Sequence, residues 1–225
     1  MAEKGPDLSL VIPVINEEKA IGGVLRAVRA QAERLGISME AFIVDGGSTD
    51  GTVREAEAAG AQVLVEMGGF GASVRRGFES SRGEFILTMD GDGSHAADEF
   101  PPMWERRSGS ELVVGSRFVK GGGLDLPLYR RLLTLALNTT FRLLLGLPVS
   151  DTSSGFRLYR ASAVRGMGGL AAWFDFQQEV LIRIHRAGGR VCEVPIRYVW
   201  RTAGESKARI FRLAVGYLRL LWRYG

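Results

Sequence analysis

Phe85-Ile86-Leu87-Thr88-Met89-Asp90-Gly91-Asp92-Gly93-Ser94-His95 is an apolar, strand-like run that stops abruptly in two carboxylates one residue apart. A strand sends successive side chains to opposite faces, but Gly91 and Gly93 break this one and let Asp90 and Asp92 both turn toward one point beyond its end. Such a pair suits a hard divalent cation, Mg2+ or Mn2+, which keeps most of its waters and adds the oxygens of a substrate diphosphate. A polar hairpin turn is the competing reading, because Asp-Gly pairs are common turn residues.

Upstream, strands and helices alternate. Leu8-Ser9-Leu10-Val11-Ile12-Pro13 reads as a strand, Asn16-Glu17-Glu18 as a cap, and Ile21, Val24, Leu25, Val28 and Leu35 as the buried side of a helix. Ala41-Phe42-Ile43-Val44 begins the pattern again and ends in Asp45-Gly46-Gly47-Ser48-Thr49-Asp50-Gly51-Thr52, followed by a helix rich in Ala and Glu. Residues 62–65 form a third strand and 71–81 a helix. This alternation predicts an α/β fold with a mostly parallel sheet covered on both faces. Ligands of such sheets bind beyond the carboxyl ends of the strands, where residues 13–17, Asp45 and the Asp90/Asp92 pair all fall. Ser48, Thr49 and Asp50 lie next to the second helix and suit its cap, which leaves Asp45 free for a ribose or base. Gly68-Gly69-Phe70-Gly71 lacks a Walker lysine and reads as close helix packing near the nucleotide.

Beyond the aspartates, residues 111–116 read as a strand ending at Arg117, and Lys120-Gly121-Gly122-Gly123 as a loop free to move. Residues 128–146 form a long apolar helix in which Arg130, Thr134, Asn138 and Arg142, four apart, make one narrow polar stripe. A solvent face would also produce a stripe. His95 follows the aspartates and is a candidate to orient a ligand or phosphate, whereas His185 sits in a helix and reads as structural.

The chain has 225 residues, 46% of them hydrophobic, enough for one substantial core. We expect one domain over 1–205 and a basic amphipathic helix over 206–225. No secretory leader pattern opens the sequence and no apolar run reaches the length of a membrane span, so the expectation is a cytoplasmic, non-spanning protein, peripheral on the cytoplasmic face of a membrane. Lone Cys192 excludes a disulfide framework and a cysteine zinc cluster and reads as a core residue. Residues 197–225 carry seven of the 29 Lys and Arg but one of the 25 Asp and Glu, so the net charge of +4 belongs to the tail. That asymmetry points to phosphate or an acidic membrane surface, and no nucleic-acid motif is present. In the tail, Arg209, Arg212, Arg219 and Arg223, with Gly216, follow one stripe, and apolar residues fill the other sides. Such a helix can lie in a membrane interface with its arginines on lipid phosphates, or pack against the domain or a partner subunit.

With these residues in hand, the sequence resembles the family 2 glycosyltransferases of the GT-A fold, and within them the dolichol-phosphate (polyprenol-phosphate) mannosyltransferases. The blocks run in order through residues 11–17, 44–52, 90–95, 115–118, 151–157, Phe176-Gln177 with Glu179, and 194–207. The resemblance implies that Pro13, Asn16, Glu17 and Asp45 hold the nucleotide and that Asp90 and Asp92 hold the metal. It also implies that Arg117, Arg130, Thr134 and Asn138 face the acceptor phosphate. Arg201 and Lys207 are candidates to close over the donor phosphates. Gly46 stands where relatives usually carry a second aspartate, Gly91 and Gly93 replace Ala and Leu, and Thr134 replaces Ser.

The implied reaction moves mannose from GDP-mannose to a polyprenyl or dolichyl phosphate with inversion. Asp92, Arg117 and Arg130 would carry the chemistry, and an ionised phosphate monoester needs no base. A hydroxyl acceptor on a soluble molecule is the alternative; it needs a carboxylate base, for which Asp175 and Glu179, one helical turn apart, are the candidates. A nucleotide-sugar-binding protein without turnover is the third reading.

Overall fold

The computed structural model describes residues 5–125, 127–173, 175–199 and 210–225, with side chains in the last stretch from 216 onward. β1 (Leu8–Val14) leads into α1 (Ile21–Arg34), β2 (Met39–Asp45) into α2 (Thr52–Ala58), and β3 (Gln62–Val65) into α3 (Phe70–Ser80). β4 (Phe85–Thr88) then carries the chain to the aspartates. A 3-10 turn (Ala97–Glu99), α4 (Phe100–Glu105), β5 (Leu112–Ser116), β6 (Gly123–Leu124) and α5 (Leu128–Leu145) follow. β7 (Arg157–Arg160), α6 (Ala161–Val164), α7 (Phe176–Arg186), β8 (Val191–Pro195), β9 (Arg197–Tyr198) and α8 (Ile210–Tyr224) complete the described elements.

Seven strands form one sheet in the order β3-β2-β1-β4-β7-β5-β8. All run parallel except β7, which is antiparallel to both its neighbours, β4 and β5. β1 and β4 are apolar almost throughout because helices cover both faces. Alternate residues divide between the two layers: Leu8, Leu10 and Ile12 pack with Ile21, Leu25 and Val28 of α1, while Val11 packs with Val74 and Phe78 of α3 and Val180 of α7. The predicted α/β architecture with a mostly parallel sheet is therefore the observed one.

β7 is the element that local pattern does not reveal, since its four residues are Arg-Leu-Tyr-Arg. Its direction matters for the site. Because it runs against β4, with Thr88 opposite Arg157, its start lies at the carboxyl end of β4, and residues 151–156 are delivered beside Asp90.

Two local expectations are corrected. Residues 16–18 do not cap α1, whose N-terminal flank, Ala20, has no side-chain cap. The Lys120-Gly-Gly-Gly stretch is tied down: β6 pairs with β9, and Gly123 N–H donates to the Ile196 carbonyl at 2.9 Å. A Cβ on Gly122 would lie 2.7 Å from the Ser116 carbonyl oxygen, so close backbone approach accounts for that glycine. Among the described residues no helix is long and apolar enough to cross a membrane.

Gly77 sets how closely α3 sits on β1, because a Cβ there would lie 2.2 Å from Val11 Cγ1. Gly77→Ala is expected to cost about 1–3 kcal/mol by overpacking, more than the helix propensity gained, measured as a lower urea midpoint at unchanged slope.

Candidate active site

The crevice beyond the strand ends is built from three loops. The loop after β1 is stitched to the loop after β2: Asn16 N–H donates to Ser48 Oγ at 2.9 Å, Thr49 N–H to Asn16 Oδ1 at 2.8 Å, and Glu17 N–H to Thr52 Oγ1 at 2.7 Å. Asn16 adopts a left-handed φ of 54°, which asparagine tolerates better than most residues. Asp50 accepts from Thr52 N–H at 3.0 Å at the start of α2, as its position next to that helix suggested. Asp45 is not free, contrary to the reading from sequence: it is buried, and its carboxylate accepts from the Gly47 and Ser48 N–H groups at 3.1 Å and from the Ser48 hydroxyl. The reason is local. A carboxylate followed by two glycines closes its own turn.

The second loop holds the paired carboxylates. Asp90 is 38% exposed at its side chain and lies 3.4 Å from His95 Nε2, while Asp92 Oδ1 accepts from Ser94 N–H at 2.9 Å. A Cβ on Gly91 would meet Val14 Cγ1 at 2.7 Å, so glycine lets this loop fold onto the end of β1. His95 is buried between the Phe156 and Tyr198 rings, with centroids at 5.1 and 5.5 Å. Among the described residues no cluster of three or more His, Cys, Asp or Glu gathers here. Two carboxylates without further anionic ligands fit a divalent ion that keeps its waters and shares a phosphate, and do not fit an all-protein cage.

The third loop is the turn over 151–156. Asp151, fully buried, takes Arg117 in a bidentate pair: Nε donates to Oδ2 at 2.6 Å and Nη2 to Oδ1 at 2.8 Å, with the Arg117 N–H adding a bond at 3.1 Å. Nη2 also donates to Ser153 Oγ at 2.7 Å, and Nη1 has no hydrogen-bond partner among the described residues. Burial alone would raise the Asp151 pKa, but the Arg117 charge and these bonds outweigh it and hold the carboxyl below its ordinary 3.8. Asn138 belongs to the same unit. Its Oδ1 accepts from Thr152 N–H at 2.8 Å and Nδ2 donates to Ser153 Oγ at 3.3 Å. Thr134 Oγ1 donates to the Arg130 carbonyl at 2.8 Å, and Arg130 Nε to Tyr129 Oη at 3.2 Å.

α5 is turned inside out. Arg130 and Thr134 are half-buried and Asn138 is buried on the inward side, whereas Leu128, Leu132, Leu133, Leu143 and Leu144 are 51–71% exposed. The polar stripe therefore faces the protein, not solvent, and Arg142 of the predicted stripe is exposed.

Of the two carboxylates considered as a base, Glu179 is engaged in a network, while Asp175 Oδ2 has no hydrogen-bond partner among the described residues. Glu179 accepts from Ala171 N–H at 2.7 Å, Arg183 and Tyr224 Oη at 2.8 Å, and Arg223 at 3.1 Å. Burial would raise its pKa, yet these bonds together hold it below the ordinary range. Asp175 lies 3.7 Å from Arg219, beneath Gly216, and burial pushes its carboxyl up. Arg219 and Arg223 of α8 thus face α7, where lipid phosphates had been expected, and the side left outward carries Leu218 and Trp222, 67% and 89% exposed. Arg201, Lys207, Arg209, Arg212 and the boundary at 205/206 lie outside the described residues.

Pro13, Asn16, Glu17, Asp45, Asp90, Asp92 and Arg117 thus lie at or just beyond strand ends, and Asn138 joins Arg117 through Ser153, while Arg130 and Thr134 stand earlier on the same side of α5. Sequence reading assigned no role to Asp151, Ser153, Gly155, Arg157 or Gln177. Arg157 is fully buried and donates to the carbonyls of Ser154 at 2.8 Å, Thr152 at 2.7 Å and Gln177. A Cβ on Gly155 would lie 3.1 Å from Asp90 Oδ1. Residues 151–157 and Phe176-Gln177 are blocks of the family resemblance, but no role is attached to them, and a polar run says nothing of its partners.

A parallel sheet with one antiparallel insertion and a carboxylate pair at the end of its fourth strand is the GT-A glycosyltransferase architecture. The chain belongs to glycosyl transferase family 2, whose profile matches residues 9–168. It is 33% identical over 211 residues to the undecaprenyl-phosphate mannosyltransferase of Micrococcus luteus, covering 88% of this chain and 85% of that protein. It is 29% identical over 228 residues to the dolichol-phosphate mannosyltransferase of Pyrococcus furiosus, covering 96% of this chain and 63% of that one. Among solved structures, Mycobacterium tuberculosis glucosyl-3-phosphoglycerate synthase in complex with Mn2+, UDP and phosphoglyceric acid superposes with a TM-score of 0.74 at 21% identity, covering 98% of this chain and 79% of that one.

Asp151 has a folded pKa below its unfolded value, so it stabilises the fold at neutral pH and that contribution is lost as pH falls from about its ordinary value through the folded one. Asp151→Asn leaves the Arg117 guanidinium buried without a counter-charge. It should cost about 3–5 kcal/mol at pH 7 and flatten the fall in urea midpoint between pH 5 and 3, with both read from denaturation curves.

Proposed function

We propose that this glycosyltransferase moves a sugar, mannose from GDP-mannose, onto the phosphate of a polyprenol with inversion at the anomeric carbon. The observation that carries the lipid acceptor is the orientation of α5: Asn138 of its polar stripe is linked to Arg117 through Ser153, Arg130 and Thr134 of the stripe are half-buried, and its leucines face outward. A helix of that kind joins a phosphate site to an apolar environment. The names of the Micrococcus and Pyrococcus relatives point the same way.

In this reading the loops holding Pro13, Asn16, Glu17 and Asp45 bind the nucleotide, and Arg201 and Lys207 bind its phosphates. Asp90 and Asp92 hold Mg2+ or Mn2+, which when bound neutralises the diphosphate leaving group; the Mn2+ and UDP bound by the superposed synthase support a divalent ion. Arg117 offers Nη1 to the acceptor phosphate while Asp151 fixes its plane, and Arg130, Thr134 and Asn138 flank it. The nucleophile is an anion at pH 7, so positioning and charge screening take the place of a base. The hydroxyl-acceptor alternative is disfavoured because Asp175 and Glu179 face α8.

Transfer from GDP-mannose to polyprenyl phosphate should require a divalent metal, and Asp92→Asn should lower turnover about 10²–10³-fold with the melting temperature unchanged. Undiminished turnover in EDTA overturns the metal reading, and transfer to a soluble hydroxyl acceptor alone overturns the lipid one. Membrane contact is tested on the exposed side of α5: Leu132→Glu with Leu143→Glu should reduce co-sedimentation with anionic liposomes and slow long-chain acceptors more than short soluble ones, because both leucines lie outside the core.

A further inference from the structure

We propose that Gln177 contacts the sugar being transferred and discriminates among sugars by its hydroxyls. This deepens the reading above and rests on it for the nature of the donor. Gln177 occupies the first turn of α7, is 6% exposed, and has its main-chain carbonyl held by Arg157. Its side chain reaches the crevice through the space left by Gly155. The amide nitrogen lies 3.2 Å, and Asp90 Oδ1 3.1 Å, from the point a Cβ on that glycine would occupy. Amide and carboxylate therefore approach each other across a residue that has no side chain.

Among the described residues the Gln177 amide has no hydrogen-bond partner, whereas the adjacent Gln178 donates to Tyr217 Oη at 3.0 Å. Unlike Gln178 Oε1, the Gln177 amide atoms are not shut off from solvent, so they hold water that a ligand hydroxyl can replace.

Position and chemistry identify that ligand. The turn over 151–155 has Gly155 against Asp90 at one end and Asp151 on Arg117 at the other, and the Gln177 amide lies at the Gly155 end, beside the carboxylate pair on the diphosphate side, from which a transferred sugar sets out toward Arg117. The group that passes between those sides is the sugar, an uncharged ring with adjacent hydroxyls. An amide offers two donors and one acceptor to such hydroxyls, and unlike a carboxylate it adds no negative charge beside Asp90 and the phosphates.

The test compares calorimetric binding of GDP-mannose and of GDP alone, each with Mn2+, to the full chain and to Gln177→Ala and Gln177→Met; the methionine keeps the volume and removes the hydrogen bonds. Both variants should bind GDP-mannose about tenfold more weakly, bind GDP as the wild type does, and lose their preference between epimeric sugars on the same nucleotide. Equal loss for GDP alone reassigns the amide to the metal or phosphates, and no change in either overturns the proposal. If the alanine variant unfolds, the methionine variant decides; a fall in its melting temperature with all affinities reduced together makes Gln177 structural. The sugar increment is measured without acceptor, so failed transfer to polyprenyl phosphate with an intact increment overturns the acceptor and leaves Gln177 in place.

Discussion

The buried pair between Arg117 and Asp151 is the interaction on which the crevice depends. It joins the end of β5 to the turn before β7, and through Ser153 and Asn138 it ties α5 to the same point. Removing two charges from water is costly, and bidentate geometry with further hydrogen bonds is what offsets that cost. Arg157 supports the turn from below by gathering three carbonyls onto one guanidinium. A change in that turn is therefore felt at Asp90 and at Arg117 together.

Charge placement around α7 accounts for two of the arginines in the basic tail. The basic excess of the C-terminal stretch suggests a surface that seeks anions outside the protein. Arg219 and Arg223, about half-exposed, meet Asp175 and Glu179, two carboxylates one helical turn apart on α7. Beside this pairing Leu218 and Trp222 face outward. α5 follows a related logic, with polar groups inward and leucines outward.

By itself the sequence determined the first half of the fold and the position of the carboxylate pair. Strand and helix periodicities over residues 8–88 are local, and two glycines around Asp92 end a strand wherever that strand lies. The tertiary structure alone decided the rest: that β7 enters antiparallel, that Asp45 closes its own turn, that the stripe of α5 faces inward, and that Gln177 reaches Asp90 across Gly155. The β7 pairing, the α5 orientation and the Gln177 approach join residues 14 or more positions apart, where the energy lies in mutual burial and hydrogen bonding and no local pattern records the partner. Asp45 differs, since its bonds are local, but its burial is imposed by the rest of the fold.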